Sequence, residues 1–204
     1  MFITLEGIDR SGKSTQAALL ADALGPQTLL LREPGGTEAG ERIRDLLKDP
    51  LVHLGAGAEL LLFLAARSEL ASAVIGPARR EGRDIVCDRY IDSSVAYQGG
   101  MPGIGSKEIE RANAMIVGEC VPDLTVLVKV DPAVAAIRGQ SRLQAGIDDG
   151  EDRFEGRGLG FQQAVAAAYD ELAARHPQRI VAVDGHGDPA EVHERVMAAV
   201  ATRR

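Results

Sequence analysis

The 204-residue chain is poor in aromatic residues, cysteine and basic charge. Aromatic residues make up 3% of the chain and tryptophan is absent, so each phenylalanine or tyrosine near a candidate site carries information. The two cysteines, Cys87 and Cys120, lie beside apolar segments and lack disulfide-framework or zinc spacing, which predicts buried, reduced thiols. Acidic side chains outnumber basic ones by 30 to 23, giving a net charge of −7. A broad nucleic-acid or anionic-membrane surface is therefore not expected, and an anionic ligand must be held locally.

Long hydrophobic runs are also missing. No uninterrupted apolar stretch approaches the roughly 18 residues that a membrane-spanning helix needs, and the first residues lack the pattern of a secretory leader. These absences predict a cytoplasmic protein with no membrane partner. An apolar content of 45% is enough for one buried core, so we expect a single domain over residues 1–204.

Short β-like runs alternate with helical patterns along the chain. Little polar alternation is seen in the apolar runs at 2–5, 28–31, 84–87, 124–130 and 179–183, which is typical of buried strands in a parallel sheet. The pattern predicts a three-layer α/β fold in which five parallel strands have helices on both faces. Ligands of such folds gather at the carboxyl ends of the strands.

One segment departs from this alternation. Residues 139–160 are rich in glycine, aspartate and arginine and poor in apolar side chains. This composition is typical of a mobile lid, which we expect to lie within the single domain.

The most specific motif follows the first strand directly. Residues 7–14 read GIDRSGKS and match G-x-x-x-x-G-K-[ST], a loop whose backbone N–H groups and following helix bind phosphate. Lys13 is expected to bridge the β- and γ-phosphates of a nucleotide, and the Ser14 hydroxyl to ligate Mg²⁺. Asp88 follows the third strand, where P-loop proteins keep a carboxylate for Mg²⁺. Arg89, next to it, suits a second anion such as an acceptor phosphate.

Longer motifs carry a resemblance to a known family. The chain reads EGIDRSGKSTQ from Glu6, REPGGT from Arg32, LFLAAR from Leu62 and DRYIDSSVAYQG from Asp88. From Phe2 to its last helix it resembles the thymidylate kinases, P-loop nucleoside monophosphate kinases that phosphorylate dTMP with MgATP. The resemblance implies a P-loop NTPase fold, Mg²⁺ as cofactor and a homodimer built from helices. It also implies transfer of the γ-phosphoryl group of ATP to dTMP, giving dTDP and ADP in dTTP biosynthesis.

The resemblance further implies roles for individual residues on both sides of the site. On the acceptor side, Phe63 stacks on thymine, and Arg67, one helical turn later, donates to the thymine O4 carbonyl. Ser94 and Gln98 complete the polar edge of the base pocket, while Tyr97 leaves no room for a 2′-hydroxyl. On the donor side, ATP binding falls to Gly7, Ile8, Asp9, Arg10, Ser11, Gly12, Lys13, Ser14, Thr15 and Arg138.

The acceptor's sugar and phosphate have candidates of their own. By resemblance, Asp9 accepts a hydrogen bond from the 3′-hydroxyl and helps to position Arg89. Arg44, with Arg32, is a candidate for the acceptor phosphate, and the sequence does not separate these two arginines.

Catalysis is expected to rest on cations. Phosphoryl transfer spreads negative charge over the equatorial oxygens, and a phosphate monoester is already an anionic nucleophile, so no general base is required. Lys13, Arg89 and Mg²⁺ would form a fixed cage. Arg10 in the phosphate loop and Arg153 in the lid are expected to share neutralisation of the transition state, while Arg138 borders the adenine.

Alternative functions remain open at this point. Another small P-loop kinase would act on dUMP, dCMP or a deoxynucleoside. A GTPase-type switch is suggested by residues 184–187, which match D-x-x-G, and by 129–131, which match part of N-K-x-D. Against the switch, Val128 replaces the required Asn or Thr and the two elements occur in reverse order. A non-catalytic assembly module has only the alanine-rich helices in its favour.

Overall fold

All five expected strands form one parallel sheet in a computed structural model, which describes residues 1–100, 103–145 and 157–203. The strands are β1 (Phe2–Glu6), β2 (Leu29–Arg32), β3 (Ile85–Asp88), β4 (Leu124–Lys129) and β5 (Ile180–Asp184). Their order across the sheet is β2-β3-β1-β4-β5, and every neighbouring pair is parallel. The α/β prediction is therefore confirmed.

Helices connect the strands and cover both faces of the sheet. They are α1 (Lys13–Leu24), α2 (Glu38–Lys48), α3 (Ala56–Leu70), α4 (Gly76–Arg80), α5 (Ile91–Gln98), α6 (Ser106–Val117), α7 (Pro132–Gln144), α8 (Gly158–Arg175) and α9 (Pro189–Ala201). A π-helical turn over residues 71–75 joins α3 to α4. The helices α1 and α9 pack on one face, whereas α3, α5, α6, α7 and α8 pack on the other. None of the helices in the described part of the chain has the length and apolar character needed to cross a bilayer.

The continuous apolar character of the strands follows from burial on both sides. Ile3 and Leu5 of β1 pack with Leu20 of α1, while Phe2 points to the opposite face and packs with Ile85 of β3. Each such side chain contributes about 1.5–3 kcal/mol through burial. Two layers of this kind hold the carboxyl ends of β1, β2 and β3 in fixed positions, where the site lies.

The expectations for the two cysteines and for the lid at 139–160 can be compared with the described residues. Both cysteines are free and buried, as predicted. Residues 139–144 of the expected lid belong to α7 and residues 158–160 belong to α8. Residues 146–156 lie outside the described part of the chain, so the lid stays a prediction.

Candidate active site

A cavity of about 690 Å³ opens at the carboxyl ends of β1, β2 and β3. Among the described residues that line it, seven side chains are basic and three are acidic: Arg10, Lys13, Arg32, Arg44, Lys48, Arg89 and Arg138 against Asp9, Glu33 and Asp88. This local excess of positive charge contrasts with the net charge of −7 for the whole chain. The cavity therefore suits an anionic ligand of nucleotide size.

The loop between β1 and α1 takes a course that glycine permits. Gly7 has a φ of 149°, and a Cβ there would lie 2.6 Å from a backbone carbonyl oxygen of β4. Gly12, with a φ of 95°, directly precedes α1. Lys13 is buried and its Nζ donates to the carbonyl oxygen of Ile8 at 3.2 Å. Burial lowers the pKa of Lys13, and the nearby Arg89 lowers it further, because both disfavour the charged ammonium group. Phosphate oxygens bound at this helix terminus would stabilise that charge.

Two oxygen groups in the cavity fit a hard divalent cation. Ser14, in the first turn of α1, and Asp88, at the end of β3, both line it. The Asp88 Oδ1 atom is buried and accepts no hydrogen bond from the described residues. A carboxylate oxygen without a donor and a hydroxyl are ligands that Mg²⁺ accepts alongside water and phosphate oxygens. No group of three or more His, Cys, Asp or Glu among the described residues is placed to hold a metal ion.

Arg89 lies at the junction of the phosphate loop and β3. Its φ of 67° falls in the left-handed region, which is uncommon for a residue other than glycine. Its guanidinium forms an ion pair with Asp9 and donates to the carbonyl oxygen of Gly7 at 3.1 Å and to the Tyr97 hydroxyl at 3.0 Å. Burial acts to raise the pKa of Asp9, but Arg89 and Lys13 outweigh it, and the pKa is lowered. Three candidate acceptor-site residues are thus in direct contact.

The candidate base-binding residues share one wall of the cavity. Phe63 of α3 lies on this wall together with Ser94, Tyr97 and Gln98 of α5. Ser94 and Gln98 are almost fully buried, and Tyr97 is 7% exposed. An aromatic ring beside buried polar groups is a surface on which a planar base can stack and be read at its edge.

The two arginines proposed for the acceptor phosphate both line the cavity but differ in their contacts. Arg44 is half-buried, and its Nη1 donates to the carbonyl oxygen of Pro34 at 2.9 Å. Arg32 is exposed and pairs with Glu41 at 2.9 Å.

Arg67 lies behind the base wall, not on it. It is 1% exposed and does not line the cavity. Its Nε and Nη2 donate to Glu33 Oε2 at 2.8 and 2.7 Å, its Nη1 to Ser94 Oγ at 2.9 Å and Asn113 Oδ1 at 2.8 Å, and its Nη2 also to the Tyr90 carbonyl at 2.9 Å. The N–H groups of Arg67 thus already have acceptors within the protein. A contact with a base oxygen requires it to share an N–H that already has an acceptor, and that contact stays a prediction.

The partner of Arg67 is itself unusual. Burial raises the pKa of Glu33 to about 7, although the adjacent Arg67 cation acts in the opposite direction. The other carboxyl oxygen, Oε1, accepts no hydrogen bond from the described residues. Glu33 also lines the cavity.

The donor-side arginines contact the loops that surround the phosphate site. Arg138 of α7 donates to the carbonyl oxygens of Ser11 at 3.2 Å and Gly185 at 3.0 Å, so it ties the phosphate loop to the loop after β5. Arg10 lines the same cavity, has a φ of 61° and packs closely against α7. Arg153 lies outside the described residues. The sharing of transition-state charge between Arg10 and Arg153 therefore stays a prediction.

Four buried or half-buried side chains that were not predicted from the sequence support the site. Glu33 and Asn113 accept hydrogen bonds from Arg67 of α3. Gln162 donates to Asp9 Oδ2 at 2.7 Å. Glu6 Oε1 accepts a hydrogen bond from the backbone N–H of Tyr90, which follows β3, at 2.7 Å. Glu6 and Glu33 lie inside the conspicuous motifs and were open to prediction. Asn113 and Gln162 are single polar residues on helices, with no local pattern to mark them.

The parallel sheet, the glycine-rich loop between β1 and α1 and the buried lysine define a P-loop nucleotide-binding protein. The cavity continues beyond this loop, past Arg89 to Phe63. It therefore offers space for a second ligand beside the nucleotide.

Comparison with known proteins narrows this class. The thymidylate kinase family model matches residues 5–196. A thymidylate kinase of Pelobacter propionicus is 40% identical over 207 residues, covering 100% of this chain and 94% of that protein. One from Jannaschia sp. is 44% identical over 208 residues, covering 100% and 97%. The crystal structure of thymidylate kinase from Ehrlichia chaffeensis matches with a TM-score of 0.79 at 32% identity and covers 98% of both chains. This chain belongs to the thymidylate kinase family.

The buried network around Arg67 makes a prediction about stability. Replacement Arg67→Ala should lower the free energy of unfolding by about 3–5 kcal/mol, because it leaves the Glu33 carboxyl and other buried acceptors without their donor. Urea-induced unfolding measures the change. The matched control, Arg42→Ala, removes an exposed pair with Glu38 and should have little effect. Similar small losses in both variants would contradict the buried ion pair.

Proposed function

We propose that this chain transfers the γ-phosphoryl group of MgATP to dTMP, giving dTDP and ADP in dTTP biosynthesis. One observation carries the proposal: a continuous cavity runs from the phosphate loop at Lys13, past Arg89, to the ring of Phe63. Two nucleotides bound at its ends would meet head to head. The donor's phosphates would lie at Lys13 and the acceptor's phosphate at Arg89.

The donor half of the cavity suits ATP. Its phosphates would receive backbone N–H groups of residues 7–15 at the positive end of α1, with Lys13 at the β- and γ-phosphates. Arg138 would border the adenine, because it lies between the phosphate loop and the loop after β5.

Ser14 and Asp88 would hold Mg²⁺ together with water and phosphate oxygens. When bound, Mg²⁺ neutralises charge that develops on the β- and γ-phosphate oxygens. The chain's own contribution is to fix the carboxylate. Asp88 is the last residue of β3, which is paired with β1 on one side and β2 on the other.

The acceptor half suits a pyrimidine deoxynucleotide. Phe63 would stack on the base, and Ser94 and Gln98 would face its polar edge. Arg67 would reach the O4 carbonyl by sharing the N–H that it donates to Ser94. Tyr97, held beside Arg89, would exclude a 2′-hydroxyl by its bulk.

Rate acceleration would come from alignment and charge neutralisation. The acceptor phosphate is itself the nucleophile, so the residues have to place it in line with the γ-phosphate and surround the transferred group with cations. Asp9 would bind the 3′-hydroxyl while it holds Arg89 in place. Arg89 and Arg44 would neutralise the acceptor phosphate, and Arg10 and Arg153 the transition state.

Substrate choice tests the proposal directly. In an ADP-release assay with MgATP, dTMP should be the best acceptor among nucleoside monophosphates and dUMP weaker because it lacks the 5-methyl group. For dCMP, turnover should be very slow, because its exocyclic amine is a hydrogen-bond donor and would face donors of the protein. Excess EDTA should stop turnover. Equal rates with dCMP, or GTP hydrolysis without any acceptor, would overturn the assignment.

The arginines can be ranked by single-turnover rates at saturating nucleotides. Replacement Arg89→Ala should slow phosphoryl transfer by about 10³-fold or more, because this guanidinium lies where the two anions meet. Arg10→Ala and Arg153→Ala should each produce a smaller loss. Arg111→Ala, on the exposed side of α6, is the control and should be neutral. A thousandfold loss in one of the Arg10 and Arg153 variants with a silent partner would refute shared neutralisation.

Exposed apolar side chains on α3 and α6 support the further proposal of a homodimer. Leu61 of α3 is 66% exposed and Met115 of α6 is 79% exposed, and large apolar side chains on neighbouring helices suit a second copy of the same surface. Sedimentation at micromolar concentration should give twice the chain mass of 21.6 kDa. The double variant Leu61→Glu/Met115→Glu should sediment as a monomer, whereas Leu19→Glu on α1 should not. A monomeric unmodified protein would contradict the proposal.

We also propose a cytoplasmic location. Both free thiols are buried without a disulfide partner, as expected of a protein that works in a reducing compartment.

A further inference from the structure

A buried carboxylate on α3, that of Glu59, lies behind the base wall and does not line the cavity. Glu59 is 2% exposed, and its Oε1 accepts from Gln98 Nε2 at 3.0 Å. Its Oε2 accepts from Arg157 Nη2, at the start of α8, at 2.6 Å. Glu59 lies one helical turn before Phe63, so it is on the same side of α3 as the aromatic ring.

These contacts fix the orientation of the Gln98 amide. An ionised carboxylate can only accept hydrogen bonds, so the NH₂ group of Gln98 must face Glu59. The amide oxygen then occupies the other position of the planar group. Gln98 is 1% exposed and lines the cavity, and no described residue donates to its Oε1. The wall of the base pocket therefore carries an acceptor at this position and not a donor.

Arg157 fixes Glu59 from its second carboxyl oxygen, so that both oxygens of this side chain are held by a donor. The Arg157 guanidinium, whose carbon lies 4.9 Å from the Phe161 ring centre, is held at its place by the aromatic ring on one side and by the carboxylate on the other.

We propose that Glu59 is a positioning residue for base specificity: by fixing the Gln98 amide, it presents an acceptor to the pyrimidine N3 position. The inference rests on the proposed function. Thymine and uracil carry a hydrogen on N3 and can donate to this acceptor. Cytosine has a lone pair on N3, so the Gln98 amide oxygen and cytosine N3 would face each other as two acceptors. This contact disfavours the cytosine base.

The replacement Glu59→Gln tests the orientation. Glutamine at this position can donate as well as accept, so the Gln98 amide is free to turn and to offer its NH₂ group to the base. We expect KM for dTMP to rise with little change in KM for ATP. The ratio of kcat/KM for dTMP to that for dCMP should fall about three- to tenfold. Where turnover of dCMP is too slow to follow, its inhibition constant against dTMP replaces kcat/KM.

Two comparisons separate positioning from a general loss of structure. A fall in the fraction of folded enzyme lowers kcat/KM equally for every acceptor, so it leaves the dTMP-to-dCMP ratio unchanged. The ratio of dTMP to dUMP should stay constant, because both bases carry the N3 hydrogen. The matched control Glu38→Gln removes an exposed carboxylate of α2 and should leave all ratios unchanged.

The result that overturns the inference is a Glu59→Gln enzyme with an unchanged dTMP-to-dCMP ratio. If the unmodified enzyme itself fails to prefer dTMP over dCMP, the proposed function is at fault. The two failures are thus distinguishable in one set of assays.

Discussion

The ion pair between Asp9 and Arg89 is the interaction on which the site depends. It joins the phosphate loop to Arg89, which directly follows β3 and whose backbone is left-handed with a φ of 67°. Such a conformation persists only where its surroundings determine it. Here the N–H of Arg89 donates to the Leu5 carbonyl at 3.0 Å, and the next N–H, of Tyr90, donates to Glu6 Oε1 at 2.7 Å. Two neighbouring strands are therefore needed to direct one guanidinium to the place where two anions would meet.

Two cations of the cavity are oriented by groups that do not cancel their charge. Lys13 and Arg138 donate to backbone carbonyl oxygens of the surrounding loops. A carbonyl fixes the direction of a cation but leaves its net charge in place, so the field in the cavity is preorganised before a nucleotide arrives. Arg179, away from the cavity, pairs instead with the buried carboxylate of Asp92 at 2.7 Å. Arg89 combines both kinds of partner, since it pairs with the Asp9 carboxylate and donates to the Gly7 carbonyl oxygen at 3.1 Å.

The sequence predicted the elements that depend on local signals. Apolar runs located all five strands, and glycine spacing located the phosphate loop with Lys13 at its end. The i, i+4 spacing also placed Arg67 on the same side of α3 as Phe63, but it could not tell how deep that side lies. One turn beyond Phe63 the helix passes beneath the base wall, where Glu33 and Asn113 come from 34 and 46 residues away in the chain. Partners at such separations are chosen by the packing of whole helices, and no local pattern specifies them.

In the proposed complex, Tyr97 would link the two tasks of the acceptor half, recognition of the sugar and alignment of the phosphate. Its hydroxyl accepts from Arg89 at 3.0 Å, and its ring centre lies 4.9 Å from the guanidinium carbon. Burial raises the pKa of Tyr97 well above its ordinary value, so the hydroxyl stays neutral. An acceptor with a 2′-hydroxyl would have to displace this ring and, with it, one of the contacts that hold Arg89. Discrimination against ribose would then act on the alignment of the transferred phosphate as well as on binding, because one hydrogen bond serves both.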